Sequence, residues 1–96
     1  MSSVRLVVRN PSGLHARPAA LFVKTAGRFD SKISVRNVTN NGAPADAKSI
    51  LGVLTVGASK GAEIEVTAEG VDAHQAIETI SRAVEDGLGE SLAPDP

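Results

Sequence analysis

The chain has 96 residues, 42% of them hydrophobic and 22% charged, with a formal net charge of −1. That length allows one compact domain and is too short for two. The absence of cysteine excludes disulfides, thiolate chemistry and cysteine-type zinc sites, and the near-neutral charge, with no basic run or aromatic ladder, offers nucleic acid no footing.

In chain order, Val4, Leu6 and Val8 alternate with Arg5, Val7 and Arg9, the period of a strand with one buried face. Asn10, Pro11, Ser12 and Gly13 break it. From Ala16 to about Arg28, Ala16, Ala19, Ala20, Val23 and Ala26 recur at helical spacing, and Pro18 fits the first turn, where a missing N–H costs little. Ile33 to Arg36 suggest a second strand. Asn37 to Ala47 reads as turns with a short strand around Ala45. Ser49, a favoured N-cap, precedes Ile50, Leu51, Val53 and Leu54, which predicts a short helix despite Gly52. Glu63, Glu65, Thr67 and Glu69 alternate with Ile64, Val66 and Ala68, a strand with a solvated polar face. A last helix runs from Ala73 to about Asp86. Its apolar stripe is Ala73, Ala76, Ile77, Ile80, Ala83, Val84 and Leu88, with Asp72 and Gln75 as a capping box and Gly87 as its stop.

The order strand, helix, two strands, short helix, strand, helix predicts an α+β domain, with helices on one face of a mainly antiparallel sheet. Residues 1–90 are expected to form it and residues 91–96 a loose tail. Phe22 and Phe29 are the only aromatics, so the core must be built from Val, Ile, Leu and Ala. No apolar run approaches the ~20 residues that cross a bilayer, and Met1 to Arg5 lack signal-peptide character. A cytoplasmic protein without membrane insertion is therefore expected.

The chemistry concentrates at His15. It lies just before a helix start, where unpaired backbone N–H groups carry partial positive charge and suit an anion. Arg17 adds a permanent cation able to hold two phosphate oxygens. An imidazole titrates near neutrality and can be an unprotonated nucleophile. Gly13 would let the loop backbone approach a docking partner closely. The same residues also fit an exposed loop histidine with no special task. His74 falls on the polar side of the last helix, a surface position; Lys24 and Arg28 lie on the polar side of the first.

Gly13-Leu14-His15-Ala16-Arg17-Pro18-Ala19 resembles the active-site signature of HPr, the histidine-containing phosphocarrier of the bacterial sugar phosphotransferase system. Ala47-Lys48-Ser49-Ile50-Leu51-Gly52-Val53-Leu54 resembles that family's second signature, at a similar spacing. Gly57, Lys60 to Ile64, Glu69-Gly70 and Gly87-Leu88-Gly89-Glu90 match as well, so the resemblance runs from about Val4 to Glu90.

The resemblance implies an open-faced β-sandwich, four antiparallel strands with three helices on one face. It implies a stoichiometric carrier rather than an enzyme, with no ATP, metal or organic cofactor; nothing in the sequence requires more than a monomer. His15 would accept phosphate through Nδ1 from Enzyme I and pass it to sugar-specific IIA domains. Arg17 and the backbone N–H groups of Ala16 and Arg17 would hold the phosphoryl group. Ile50 and Leu51, with Ala20 and Lys24, would form the docking surface, and Glu90 would lie near the site. Ser49 has a second reading, as a serine phosphorylated by an HPr kinase/phosphorylase and read by a transcriptional regulator. A regulatory role through Ser49 and a nitrogen-type phosphotransfer role are the alternatives, with a small-ligand sensor a more distant one. The Asn37–Asp46 stretch is longer than in many members.

Overall fold

The computed structural model describes residues 1–90, so the expected Ser91–Pro96 tail lies outside the described residues. The elements follow the expected order: β1 (Ser2–Val7), α1 (Ala16–Ala26), β2 (Lys32–Asn37), β3 (Ala45–Asp46), α2 (Ile50–Val56), β4 (Glu63–Glu69) and α3 (Ala73–Glu85). The strands form one sheet in the order β1-β4-β2-β3, every neighbouring pair antiparallel. None of the helices is long and apolar enough to cross a membrane, among the described residues.

Period-2 alternation sets the two faces of the sheet. Val66 of β4 stands between Val4 of β1 and Val35 of β2, and Ile64 stands opposite Leu6. Leu6, Ile33, Val35, Ile64, Val66 and Ala68 are buried on this face, beneath the helices. On the other face Glu65 stands between Arg5 and Arg36. Its carboxylate accepts from Arg36 Nε at 3.0 Å and from Arg5 Nε at 3.4 Å. The expected solvated face is therefore half-exposed and cross-strand paired. The Arg36 hydrogen bond holds the Glu65 carboxyl below its ordinary range.

The first helix keeps only part of its expected stripe: Ala19 and Ala26 are buried and Val23 packs partly against the core. Ala16 and Ala20 are exposed, whereas Pro18, Ala19, Phe22, Thr25 and Ala26 are buried. The reason is size. Burying Phe22 fully is worth roughly 2–3 kcal/mol, far more than an alanine methyl, so Phe22 sets the inward face. Thr25 follows it inward because its hydroxyl donates to the Leu21 carbonyl at 2.8 Å.

The last helix keeps its expected stripe, with Ala73, Ala76, Ile80 and Val84 buried. Its capping box does not form. Asp72 occupies the N-cap position without a cap hydrogen bond. Its carboxylate instead accepts from the backbone N–H groups of Asp30 and Ser31, each at 2.9 Å, and from the Ser31 hydroxyl. These outcompete the local cap because they satisfy the α1–β2 turn, 41 and 42 residues away in sequence. Gly87 (φ 89°) closes α3 as expected: Leu88 N–H donates to the Ala83 carbonyl and Gly87 N–H to that of Val84, a Schellman motif. The Asn37–Asp46 segment folds back on itself through the Gly42 N–H to the Asn37 carbonyl at 2.8 Å.

Candidate functional site

The segment between β1 and α1 is fixed before it reaches His15. Gly13 N–H donates to the Asn10 carbonyl at 3.1 Å, closing a turn with Pro11 and Ser12 at its corner. The Asn10 side chain is fully buried, and its amide donates to the Gly13 carbonyl at 2.9 Å. Leu14 is fully buried, and its N–H donates to the Ala58 carbonyl at 2.9 Å. Gly13 passes so close to Ala58 and Ser59 that a Cβ on it would lie 2.4 Å from the Ala58 carbonyl oxygen. The close approach expected of Gly13 is thus made within the chain, against the loop before β4, rather than being reserved for a partner.

His15 occupies the N-cap position of α1 with an extended backbone (φ −132°, ψ 159°), and its side chain makes no cap bond. It is exposed, as are Ala16 and Arg17. Ala16 has φ 50°, a left-handed conformation rare for a residue with a Cβ. Such strain persists only where the surroundings hold it, here between the buried Leu14 and Pro18. The N–H groups of Ala16 and Arg17 open the helix and have no carbonyl four residues back within it. No acidic residue occupies the first turn of α1, and Arg17 joins none of the ion pairs found among the described residues. A titratable ring, a free guanidinium and a positive helix end are thus presented together to solvent.

Ser49 caps α2: its hydroxyl accepts from Gly52 N–H at 3.1 Å. Removing that cap in Ser49→Ala should cost about 1 kcal/mol, read as a lower urea midpoint with an unchanged slope. Beyond the cap, Ile50, Leu51 and Leu54 are 41%, 73% and 37% exposed, a large apolar share for so short a helix. Packing of α1 against α2 puts this patch on the same layer as exposed Ala20 and Lys24. Leu54, expected in the helix but not in the docking surface, joins the patch, as its spacing of four from Ile50 allows. His74 is exposed on α3, as expected.

Glu90 does reach the His15 loop. Its Oε1 accepts from Asn10 Nδ2 at 2.9 Å and from Ser12 N–H at 3.0 Å, and its Oε2 accepts from the Ser12 hydroxyl at 2.8 Å. Ser12, Ala16, Arg17, Gly89 and Glu90 border one open depression. Sequence reasoning used Asn10 and Ser12 only as strand breakers; nothing local signals that they grip a residue near the far end. The Asn10 hydrogen bond, then those from Ser12, hold the Glu90 carboxyl below its ordinary range, as the Ser31 hydroxyl does for Asp72.

Lowered folded-state pKa values at Glu65, Asp72 and Glu90 contribute stability that is complete above the unfolded carboxylate values and lost as pH falls through the folded ones. The urea midpoint should therefore hold from pH 7 to about 5 and fall below about 4. Asp72→Asn should flatten that fall, and a midpoint that rises on acidification would contradict the assignment.

A groove of about 600 Å³ beside β2 and β3 is bordered mostly by polar residues, among them Asp30, Lys32, Asp46 and Lys48. No group of three His, Cys, Asp or Glu side chains able to hold a metal occurs among the described residues.

Comparison with known proteins gives a consistent result. A family model described as the PTS HPr component phosphorylation site matches residues 2–86. A multiphosphoryl transfer protein of Salmonella typhimurium is 44% identical over 88 residues, covering 92% of this chain and 23% of that protein. The chain therefore spans about a quarter of the length of that curated relative. The crystal structure of HPr-C-His from Thermoanaerobacter tengcongensis superposes with a TM-score of 0.89 at 41% identity, covering 96% of this chain and all of that one. The phosphocarrier protein HPr from Bacillus anthracis gives 0.80 at 38% identity, covering 86% and 95%.

Proposed function

The chain belongs to the HPr family of phosphotransferase-system phosphocarriers, and from that premise we propose that His15 accepts a phosphoryl group from the phosphohistidine of Enzyme I and passes it to a sugar-specific IIA domain. The observation that carries this reading is the exposed His15 at the start of α1, next to an Arg17 that has no ion-pair partner among the described residues. In the acceptance step the unprotonated Nδ1 of His15 donates its lone pair to phosphorus. The donor's N–P bond breaks, and its electron pair stays on the donor imidazole. Arg17 and the N–H groups of Ala16 and Arg17 stabilise the charge on the transferring oxygens. The second transfer repeats this with His15 as the leaving group. The protein is then a stoichiometric cytoplasmic carrier, and each partner supplies the other half of the active site.

Docking falls to the apolar patch of Ile50, Leu51 and Leu54, with Ala20 and Lys24 at its edge. A burial-competent apolar centre with a charged rim suits a transient partner. The position of Ser49 favours a second layer of control. A phosphate on its hydroxyl would put a dianion beside Ile50 and Leu51 and weaken docking.

The test is to incubate the protein with phosphoenolpyruvate and Enzyme I. One acid-labile phosphate, mapped to His15, is expected. A protein that takes no phosphate, or takes it elsewhere, overturns the reading.

A further inference from the structure

The grip of Glu90 on the His15 loop comes with a local conformational cost. Residues 87–89 all have positive φ: Gly87 at 89°, Leu88 at 50° and Gly89 at 85°. A leucine in that region is unfavourable by roughly 1–2 kcal/mol. Leu88 is nevertheless held there, 1% exposed, with its side chain in the core. The outcome of this reversal is that Glu90 faces the turn that precedes His15.

The contact is specific on both sides. Three donors from two residues converge on one carboxylate, across 78 and 80 residues of sequence. Asn10 is fully buried and splits its amide between Gly13 and Glu90. Ser12 offers both its N–H and its hydroxyl. Hydrogen bonds to an ionised acceptor are the stronger kind. With Leu14 tied to Ala58 on the far side, the turn is fastened at both ends.

We propose that Glu90 is a positioning residue for phosphoryl transfer, clamping the Asn10–Gly13 turn through its carboxylate oxygens and thereby setting the placement of His15. This rests on the carrier reading of His15. Charge alone points the opposite way, because Glu90 adds negative charge to the depression that Arg17 borders. Were its charge the dominant effect, neutralising Glu90 would favour a phosphoryl dianion and speed acceptance. As a clamp, its removal slows acceptance, and a neutral side chain that keeps the hydrogen bonds restores it.

Glu90→Ala, Glu90→Gln and Ser12→Ala separate these. Glutamine keeps a carbonyl oxygen for Asn10 Nδ2 and Ser12 N–H, and its amide can donate to a reoriented Ser12 hydroxyl. Glu90→Ala should lower kcat for acceptance from Enzyme I about tenfold with KM nearly unchanged, because the α2 patch is untouched, while Glu90→Gln stays within about twofold of wild type. Ser12→Ala should fall between them. In Glu90→Ala the Ser12 amide should exchange faster and the His15 ring resonances should move, and in Glu90→Gln neither should change. Glu90→Ala acting at the wild-type rate, or faster, overturns the proposal. So does Glu90→Gln as slow as Glu90→Ala. Should Glu90→Ala fail to fold, Ser12→Ala, a change at an exposed position, decides by the same readouts. A wild type that accepts no phosphate would sink the carrier reading, while the Ser12 exchange and His15 ring signals would still report whether the clamp exists.

Discussion

His15→Ala is expected to fold normally and to lose acid-labile labelling entirely, whereas Arg17→Ala should still be labelled, roughly 10²–10³-fold more slowly. The contrast follows from what each side chain touches. Both are exposed, the His15 ring caps nothing, and Arg17 joins no ion pair among the described residues. Neither replacement removes a core contact, so urea midpoints should stay within the ~0.5 kcal/mol typical of surface changes. His15 supplies the nitrogen that forms the new bond, and no neighbouring group can take its place. Arg17 supplies charge and a two-pronged donor to oxygens whose charge is redistributed during transfer, and its loss leaves the N–H groups of Ala16 and Arg17 itself. Arg17→Lys should fall between, because it keeps the charge and loses the fork. Rapid-quench labelling with limiting Enzyme I reads all three. Labelling of His15→Ala at the wild-type level would remove His15 from the reaction, and unchanged kinetics in Arg17→Ala would remove Arg17.

The parts of this molecule that were readable from sequence are those set by neighbours in the chain. The alternation of Glu63 to Glu69, the cap at Ser49 and the stop at Gly87 are local, and each stands where expected. So does the start of α1 directly after His15. What escaped depends on distant partners. Nothing in β4 itself announces that it lies between β1 and β2. Asp72 has the spacing of a capping box, yet a turn some 40 residues away claims its carboxylate. The inward face of α1 is only partly legible: Ala19 and Ala26 point inward as their spacing predicts, but Ala16 and Ala20 do not, because alanines count equally in a pattern while burial energy is governed by Phe22. At the site, the motif points to His15 and Arg17 and the resemblance puts Glu90 nearby, but neither shows how the loop before His15 is held: by the Ala58 carbonyl on Leu14 and by Asn10 bridging Gly13 and Glu90.

That hidden support makes Gly13→Ala the most damaging single methyl in the loop. Gly13 has φ 65°, where an alanine costs about 1–2 kcal/mol from backbone strain alone. Its new Cβ would also stand 2.4 Å from the Ala58 oxygen and 2.9 Å from Ser59 Cα. Both are backbone atoms, so no side chain can swing aside, and crowding of this kind adds roughly 1–3 kcal/mol. The loop must move, and the Leu14–Ala58 hydrogen bond beside it must lengthen. The expected total is about 3 kcal/mol or more, and even where the variant remains folded, a displaced His15 should transfer about a hundredfold more slowly. Gly57 is the matching control. It has φ 66°, and the nearest atom to a Cβ there is the Thr55 carbonyl oxygen at 4.0 Å, so Gly57→Ala carries the same backbone strain without the crowding. Urea unfolding of the two variants isolates the cost of the close approach by difference. Equal destabilisation would mean that the contact with Ala58 is not what requires glycine at position 13. A larger loss in Gly13→Ala, together with slowed transfer, would tie the packing of the loop against the turn before β4 directly to the chemistry of His15.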